Sequence, residues 1–120
     1  VTWKGVNGIF WYRIADAKRN FISFFQRGKN GYAKPDLWSF DVYLSKVIGK
    51  GVQELANNSH GHPSELKTLK EWTTILNKMS RGFLNYSNKV FSAKNYSSED
   101  EKKLEESLEL FKKHFLHLWD

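Results

Sequence analysis

Between residues 68 and 90 the apolar positions alternate at spacings of four and three: Trp72, Leu76, Met79, Phe83, Tyr86 and Val90. Only an α-helix gathers all six into one stripe, and a stripe this long demands other elements to cover it. Thr68 followed by Glu71 marks where the helix begins. In such a capping box each side chain bonds the other residue's backbone N–H. The centre of the chain is thereby committed to helix, and its flanks must supply the partners.

Three further helical segments are legible. The first is expected from about residue 9 to 27, with Phe10, Ile14, Ala17, Phe21 and Phe24 or Phe25 on one face. Gly28 and the turn-rich "GKNGYAKP" are read as its stop. The second is expected to open at Pro35-Asp36, run inward along Leu37, Leu44, Ile48, Gly51 and Leu55, and fade at "ANNSHGHP". The last opens at "SSEDE", where Ser97 or Ser98 caps and Glu99, Asp100 and Glu101 suit the positive helix end. Its stripe reads Leu104, Leu108, Phe111, Phe115 and Leu118, leaving Leu110, Leu116 and Trp119 outside. No period-2 pattern, internal repeat or linker interrupts this order. The expectation is an all-α fold: a single compact helical domain over residues 1–120, its four main helices in a mostly antiparallel bundle.

Composition narrows the function classes. The chain has 120 residues, 40% of them hydrophobic and 16% aromatic, too apolar for a disordered segment. It has no cysteine, so disulfides, thiolate metal sites and cysteine nucleophiles are excluded. No apolar run is long enough to span a bilayer, and no signal-peptide pattern opens the sequence, so a soluble cytoplasmic protein is expected. The net charge of +6 is uneven. Residues 1–60 hold nine Lys/Arg against four Asp/Glu, and residues 61–120 hold ten against nine. A basic first half attracts phosphate-bearing or acidic partners, nucleic acid among them.

Individual residues raise sharper questions. Asp41 falls on the stripe read as the core face of the second helix. A carboxylate there needs partners, either a Trp indole, a Tyr hydroxyl or helix-start N–H groups, or else a ligand in a cleft. His60 and His62 in "SHGHP", with His114 and His117, can offer four imidazoles to Zn²⁺ or Ni²⁺. That requires the second loop to meet the end of the fourth helix, which connectivity decides. Gly49 and Gly51 within a helix point to close helix approach or a bend. Trp11, Tyr12, Arg13, Lys18 and Arg19 interleave rings and cations, a composition suited to stacking on a nucleotide. No nucleophile elbow, H-E-x-x-H or paired-acid motif occurs. Neither catalysis nor a cofactor or metal is expected.

Four stretches carry a family signal: "RGKNGYAKPDLWSFDVYLSKVI" (27–48), "HGHP" (60–63), "EWTTILNKMSRGF" (71–83) and "LFKKHFLHLWD" (110–120). Their W-S-F-D…L-S-K-x-I, H-G-x-P, W-x-x-I-L-x-x-M and L-W-D patterns resemble a group of small helical tailed-bacteriophage proteins of unassigned function. The resemblance covers roughly residues 27–120. It implies a phage origin, a helical fold, and a pairing of Asp41 with Trp38 on one helix face. Taken with the lack of catalytic motifs, it leads to a non-enzymatic accessory protein acting in the cytoplasm of the infected bacterial host. Such a protein binds and blocks a host component, either a defence protein or a nucleotide-like signal. Arg13, Lys18, Arg19, Arg27, Trp38 and Asp41 are the expected ligand-binding residues. The alternatives are a nucleic-acid-binding or packaging-associated protein, and a structural virion component. A homo-oligomer is compatible with each.

Overall fold

The computed structural model describes the backbone of residues 2–92 and 94–119, and within them the side chains from Arg13 onward. Four α-helices and no strand occur among the described residues: α1 (Thr2–Asn30), α2 (Phe40–Asn58), α3 (Leu69–Phe91) and α4 (Ser98–His114). Two short 3₁₀ turns, Lys34–Ser39 and Phe115–His117, complete the order. The all-α expectation holds. By its internal contacts the chain divides into two units, 1–40 and 41–120.

In the second unit the direction of each helix follows from which residues meet. Asp41, Gly49 and Gln53 on α2 engage Tyr86, Ser80 and Asn77 on α3, so one helix ascends as the other descends. Likewise Asp100, Ser107 and His114 on α4 meet Asn85, Lys78 and Trp72 on α3. The three helices run antiparallel, with α3 in the middle. The core is Val52, Trp72, Leu76, Met79 and Phe83, flanked by Ile48, Leu55, Leu104, Phe111 and Leu118. Each fully buried Leu, Met or Phe contributes about 1.5–3 kcal/mol of hydrophobic stabilisation. Phe83 meets Phe111 edge-on at 5.7 Å.

The α3 stripe lies where the spacing put it, except that Val90 is exposed at its end. Its cap is half of the expected box. Thr68 Oγ1 accepts the Glu71 N–H at 3.1 Å, but the Glu71 carboxylate turns to the Lys67 N–H. The other two stripes need correcting. On α2 the buried positions are Ser45, Gly49 and Val52, whereas Leu44 and Gly51 are exposed, as is Leu37 in the 3₁₀ turn before it. On α4 they are Asp100, Ser107 and His114, with Leu108 and Phe115 outside. On each helix fully buried positions lie one residue from part of the expected row, whereas Ile48, Leu55, Leu104, Phe111 and Leu118 of those rows do pack against the core. The cause is close backbone approach. An added Cβ on Gly49 lies 2.7 Å from Leu84 Cγ, and one on Gly82 lies 2.7 Å from Ser107 Cβ and 2.8 Å from the Lys103 carbonyl oxygen. Only glycine and serine fit such a seam, so hydroxyls take places where a larger spacing would need leucines. Ser80 and Ser107 are satisfied by donating to the carbonyls of Gly49 (2.8 Å) and Lys78 (3.3 Å).

In the first unit α1 passes straight through Gly28, the expected stop, and ends at Asn30. A glycine inside a helix costs only about 1 kcal/mol, so it does not by itself terminate one. Gly31 does: its φ of 84° is left-handed, and its N–H bonds the Arg27 carbonyl at 2.9 Å. Pro35-Asp36 opens the 3₁₀ turn rather than α2, because the Asp36 carboxylate accepts the Ala33 N–H at 2.7 Å and closes a tighter curl. The row on α1 read as core is exposed at Ile14, Phe21, Phe24 and Phe25, and among the described residues of this unit no second α-helix covers it. Phe10, Trp11 and Tyr12 lie outside the described side chains.

Candidate functional site

Five of the six expected ligand-binding residues belong to the first unit. Arg13, Lys18 and Arg19 are exposed along α1, at positions that spread around the helix rather than along one edge. Arg19 is held by Asp16 one turn away at 2.5 Å. Arg27 makes a two-pronged bond to Asp36, Nε at 2.9 Å and one terminal nitrogen at 2.6 Å. That guanidinium holds the Asp36 carboxyl below the usual carboxylate range. Gln26 adds a second tie by accepting the Lys34 N–H at 2.8 Å. Together these bonds pin the 3₁₀ turn to the end of α1, and the turn carries Trp38, which is 94% exposed. Leu37 beside it is also exposed, and Tyr32 packs edge-on to Phe40 at 6.0 Å. The first unit holds seven Lys/Arg and two Asp/Glu, a net charge of +5, against twelve and eleven in the second.

Asp41 belongs to the second unit and is exposed at the start of α2, where it accepts the Tyr86 hydroxyl. Among the partners its position suggested, the tyrosine is the one found, and the carboxylate is not in the core. Its bond, followed by burial, pushes the Tyr86 hydroxyl up to about 12. The inward carboxylate of this fold is Asp100. It accepts from Lys89 Nζ (2.9 and 2.8 Å), Asn85 Nδ2 (3.0 Å) and the Ser97 N–H (2.9 Å), while Ser97 Oγ caps the helix in return. Lys89 first, then Ser97 and Asn85, hold Asp100 far below the ordinary carboxylate range. The acidic run at 99–101 signalled a helix cap; nothing in it singled out Asp100 as the knot joining α3 to α4.

A cleft of about 390 Å³ opens at the other end of the second unit, lined chiefly by His60, His62, Pro63, Trp72, His117 and Trp119. Because α2 ends, α3 begins and α4 ends at the same pole, the loop after α2 and the turn after α4 do meet. His62 Nδ1 lies 3.0 Å from the Pro63 carbonyl. His114 is buried behind this cleft, edge-on to Trp72 at 5.3 Å and 6.0 Å from His117. Burial, then the charges of Lys113 and His117, push the His114 imidazole down, with Glu65 opposing. Nδ1 of both His114 and His117 is enclosed without a hydrogen-bond partner among the described residues. Among the described residues no group of three or more His, Asp or Glu is arranged to hold a metal ion. Nor is any helix among them long and apolar enough to cross a membrane.

No protein-family model, curated protein or solved structure matches the chain.

Proposed function

We propose that this chain is a non-enzymatic binding protein of a tailed bacteriophage, acting in the cytoplasm of the infected host by occupying and blocking a host component, and that its first unit makes the contact. The observation that carries the reading is Trp38, 94% exposed on a turn pinned by the Arg27–Asp36 pair. Tryptophan and arginine dominate the energetics of protein interfaces. A ring already held on an ordered turn loses little freedom when a partner covers it, so its area converts efficiently into affinity. The +5 charge of the same unit selects an acidic partner surface and speeds encounter with it. A host defence protein with an acidic face fits these requirements best. The residues that engage it are Trp38 with Arg13, Lys18 and Arg19, while Arg27 positions the turn.

The same charge favours a second reading, nucleic-acid binding, and salt separates the two. Phosphate neutralisation makes log K fall linearly with log salt at a slope near the number of phosphates engaged. A contact centred on Trp38 weakens far less. The test is native mass spectrometry of the tagged chain recovered from its host's lysate, beside Trp38→Ala. A host protein retained by the parent and lost by the variant, at equal melting temperature, supports the proposal. A retained nucleic acid transfers support to the second reading, and an identical companion on both chains refutes the role of Trp38.

A further inference from the structure

A groove of about 580 Å³ lies between α3 and α4, within the second unit, and its volume is that of a small-molecule site. Lys78 and Arg81 line it from α3, one turn apart, and Lys103 lines it from α4; Glu106 is the carboxylate among them. Three cations against one acid set this groove apart from the adjoining one, where Lys78, Lys102 and Lys113 are balanced by Glu105, Glu106 and Glu109.

The cations are also kept available, although α4 is rich in acids. Lys103 has Glu99 four positions before it and Glu106 three after, the two spacings at which helix side chains meet. Neither pairs with it, and among the described residues Lys103 has no ion-pair partner. The Glu106 carboxylate reaches across to Lys78 instead, at 3.5 Å, and an exposed pair of that length holds the lysine weakly. Arg81 donates from Nε to the Asn77 carbonyl at 3.3 Å. That tie to its own helix steadies the arm and leaves both terminal nitrogens unbonded among the described residues. Asn85 adds a neutral donor: one amide hydrogen goes to Asp100 at 3.0 Å, and the other is left.

The ligand class follows from these donors. Arginine forks onto phosphate with two parallel N–H bonds, and lysine meets it as a point charge. Several cations in so short a span suit a ligand whose negative charges are equally crowded, as in linked phosphates, rather than carboxylates scattered along a peptide. None of the residues lining the groove is aromatic, so no ring is gripped by stacking and the phosphates carry the recognition.

We propose that the α3–α4 groove binds an oligophosphate chain, gripped by Arg81, Lys78 and Lys103 with Asn85 donating beside them.

Titration calorimetry at low salt with inorganic tripolyphosphate is the test, beside citrate, ATP and a single strand of about ten nucleotides. Tripolyphosphate is expected to bind about tenfold or more tightly than citrate, whose charge rests on carboxylates. ATP bound more tightly than tripolyphosphate places the chain on a nucleotide, and the reverse makes it a free one; both support the site. Arg81→Ala and Lys103→Ala should each weaken binding about tenfold, the loss of one charge-assisted contact. Glu106→Gln should tighten it about threefold by removing the opposing charge. Lys102→Ala, the same charge change in the adjoining groove, should leave it within about twofold. All four side chains are exposed, so the variants are expected to melt with the parent. Absence of tripolyphosphate binding overturns the site, and citrate bound as tightly overturns the phosphate. Lys102→Ala acting as strongly as Lys103→Ala overturns the location. A strand that binds more tightly and displaces tripolyphosphate overturns the small ligand in favour of nucleic acid. These outcomes are independent of Trp38, so the proposal on the first unit stands or falls separately.

Discussion

Gly82 offers the most searching test of the packing. Its α-carbon faces α4 so closely that a Cβ falls onto Ser107 Oγ, 2.7 Å from Ser107 Cβ and 2.8 Å from the Lys103 carbonyl oxygen. The hydroxyl can rotate away, but the Cβ and the carbonyl belong to the helix itself, so Gly82→Ala must push α4 outward. Overpacking of this kind costs about 1–3 kcal/mol, and with backbone as the obstacle the upper end applies. Displacing Ser107 also breaks its bond to Lys78, about 1 kcal/mol more. Against this, alanine is about 1 kcal/mol the better helix former. The net loss is about 2–3 kcal/mol, a melting temperature lower by about 10–20 °C for a unit of this size. Gly51→Ala is the matched control. Gly51 is helical and exposed, and its added Cβ meets nothing within 4 Å, so the substitution should raise stability by about 0.5–1 kcal/mol. Thermal melts followed by circular dichroism read both, and Ser107→Gly should remove part of the Gly82→Ala penalty in a double-mutant cycle. A Gly82→Ala chain melting at or above the parent would refute the close-approach argument.

Two titrations follow from buried or bonded groups. Folding lowers the His114 proton affinity, so its contribution to stability is complete above the unfolded imidazole value of about 6.5 and is lost as the pH falls from there toward the folded value. Melts at pH 7.5, 6.5 and 5.5 should show declining stability, with a shallower decline in His114→Gln; a rise on acidification would contradict the burial. Tyr86 runs the opposite way. Raised to about 12, it stabilises fully below the unfolded value of about 10 and loses that contribution as the pH climbs between the two. Tyrosinate absorbance should show two late-titrating phenols, Tyr86 and Tyr96, of which Asp41→Asn brings Tyr86 back toward the ordinary value.

How much of this was legible depended on residue size. The α3 stripe was readable because Trp72, Leu76, Met79 and Phe83 are large, and hydropathy at helical spacing registers large apolar groups. The α2 and α4 faces were legible in part: Ile48, Leu55, Leu104, Phe111 and Leu118 pack on the core as their spacing implies, but the fully buried Ser45, Gly49 and Ser107 lie beside that row. Close backbone approach selects small residues, and a hydropathy pattern scores those as neutral. Gly49 and Gly51 both point to close approach or a bend, and of the two Gly49 is a close approach whereas Gly51 faces open space; Gly82, hidden in the stretch "SRGF", carries no such signal. Asp41 drew attention on the assumed face, but the 3₁₀ turn delays α2 to Phe40 and the face rotates, leaving Asp41 exposed. The meeting of His60, His62 and His117 rests on the antiparallel order of α2, α3 and α4, a long-range property that no local pattern encodes.

The knot at Asp100 bears on the order in which the second unit assembles. It ties residues only 11 and 15 positions apart, Lys89 and Asn85, across a short loop, and caps α4 with the same carboxylate. The bonds from α2 to α3 span 24, 31 and 45 positions. Closing the shorter loop costs less chain entropy, and local contacts form first. The α3–α4 hairpin is therefore expected to form early, with α2 docking onto it. Stopped-flow refolding should then slow when Asp100 is removed, whereas trimming Val52 on α2 should chiefly hasten unfolding.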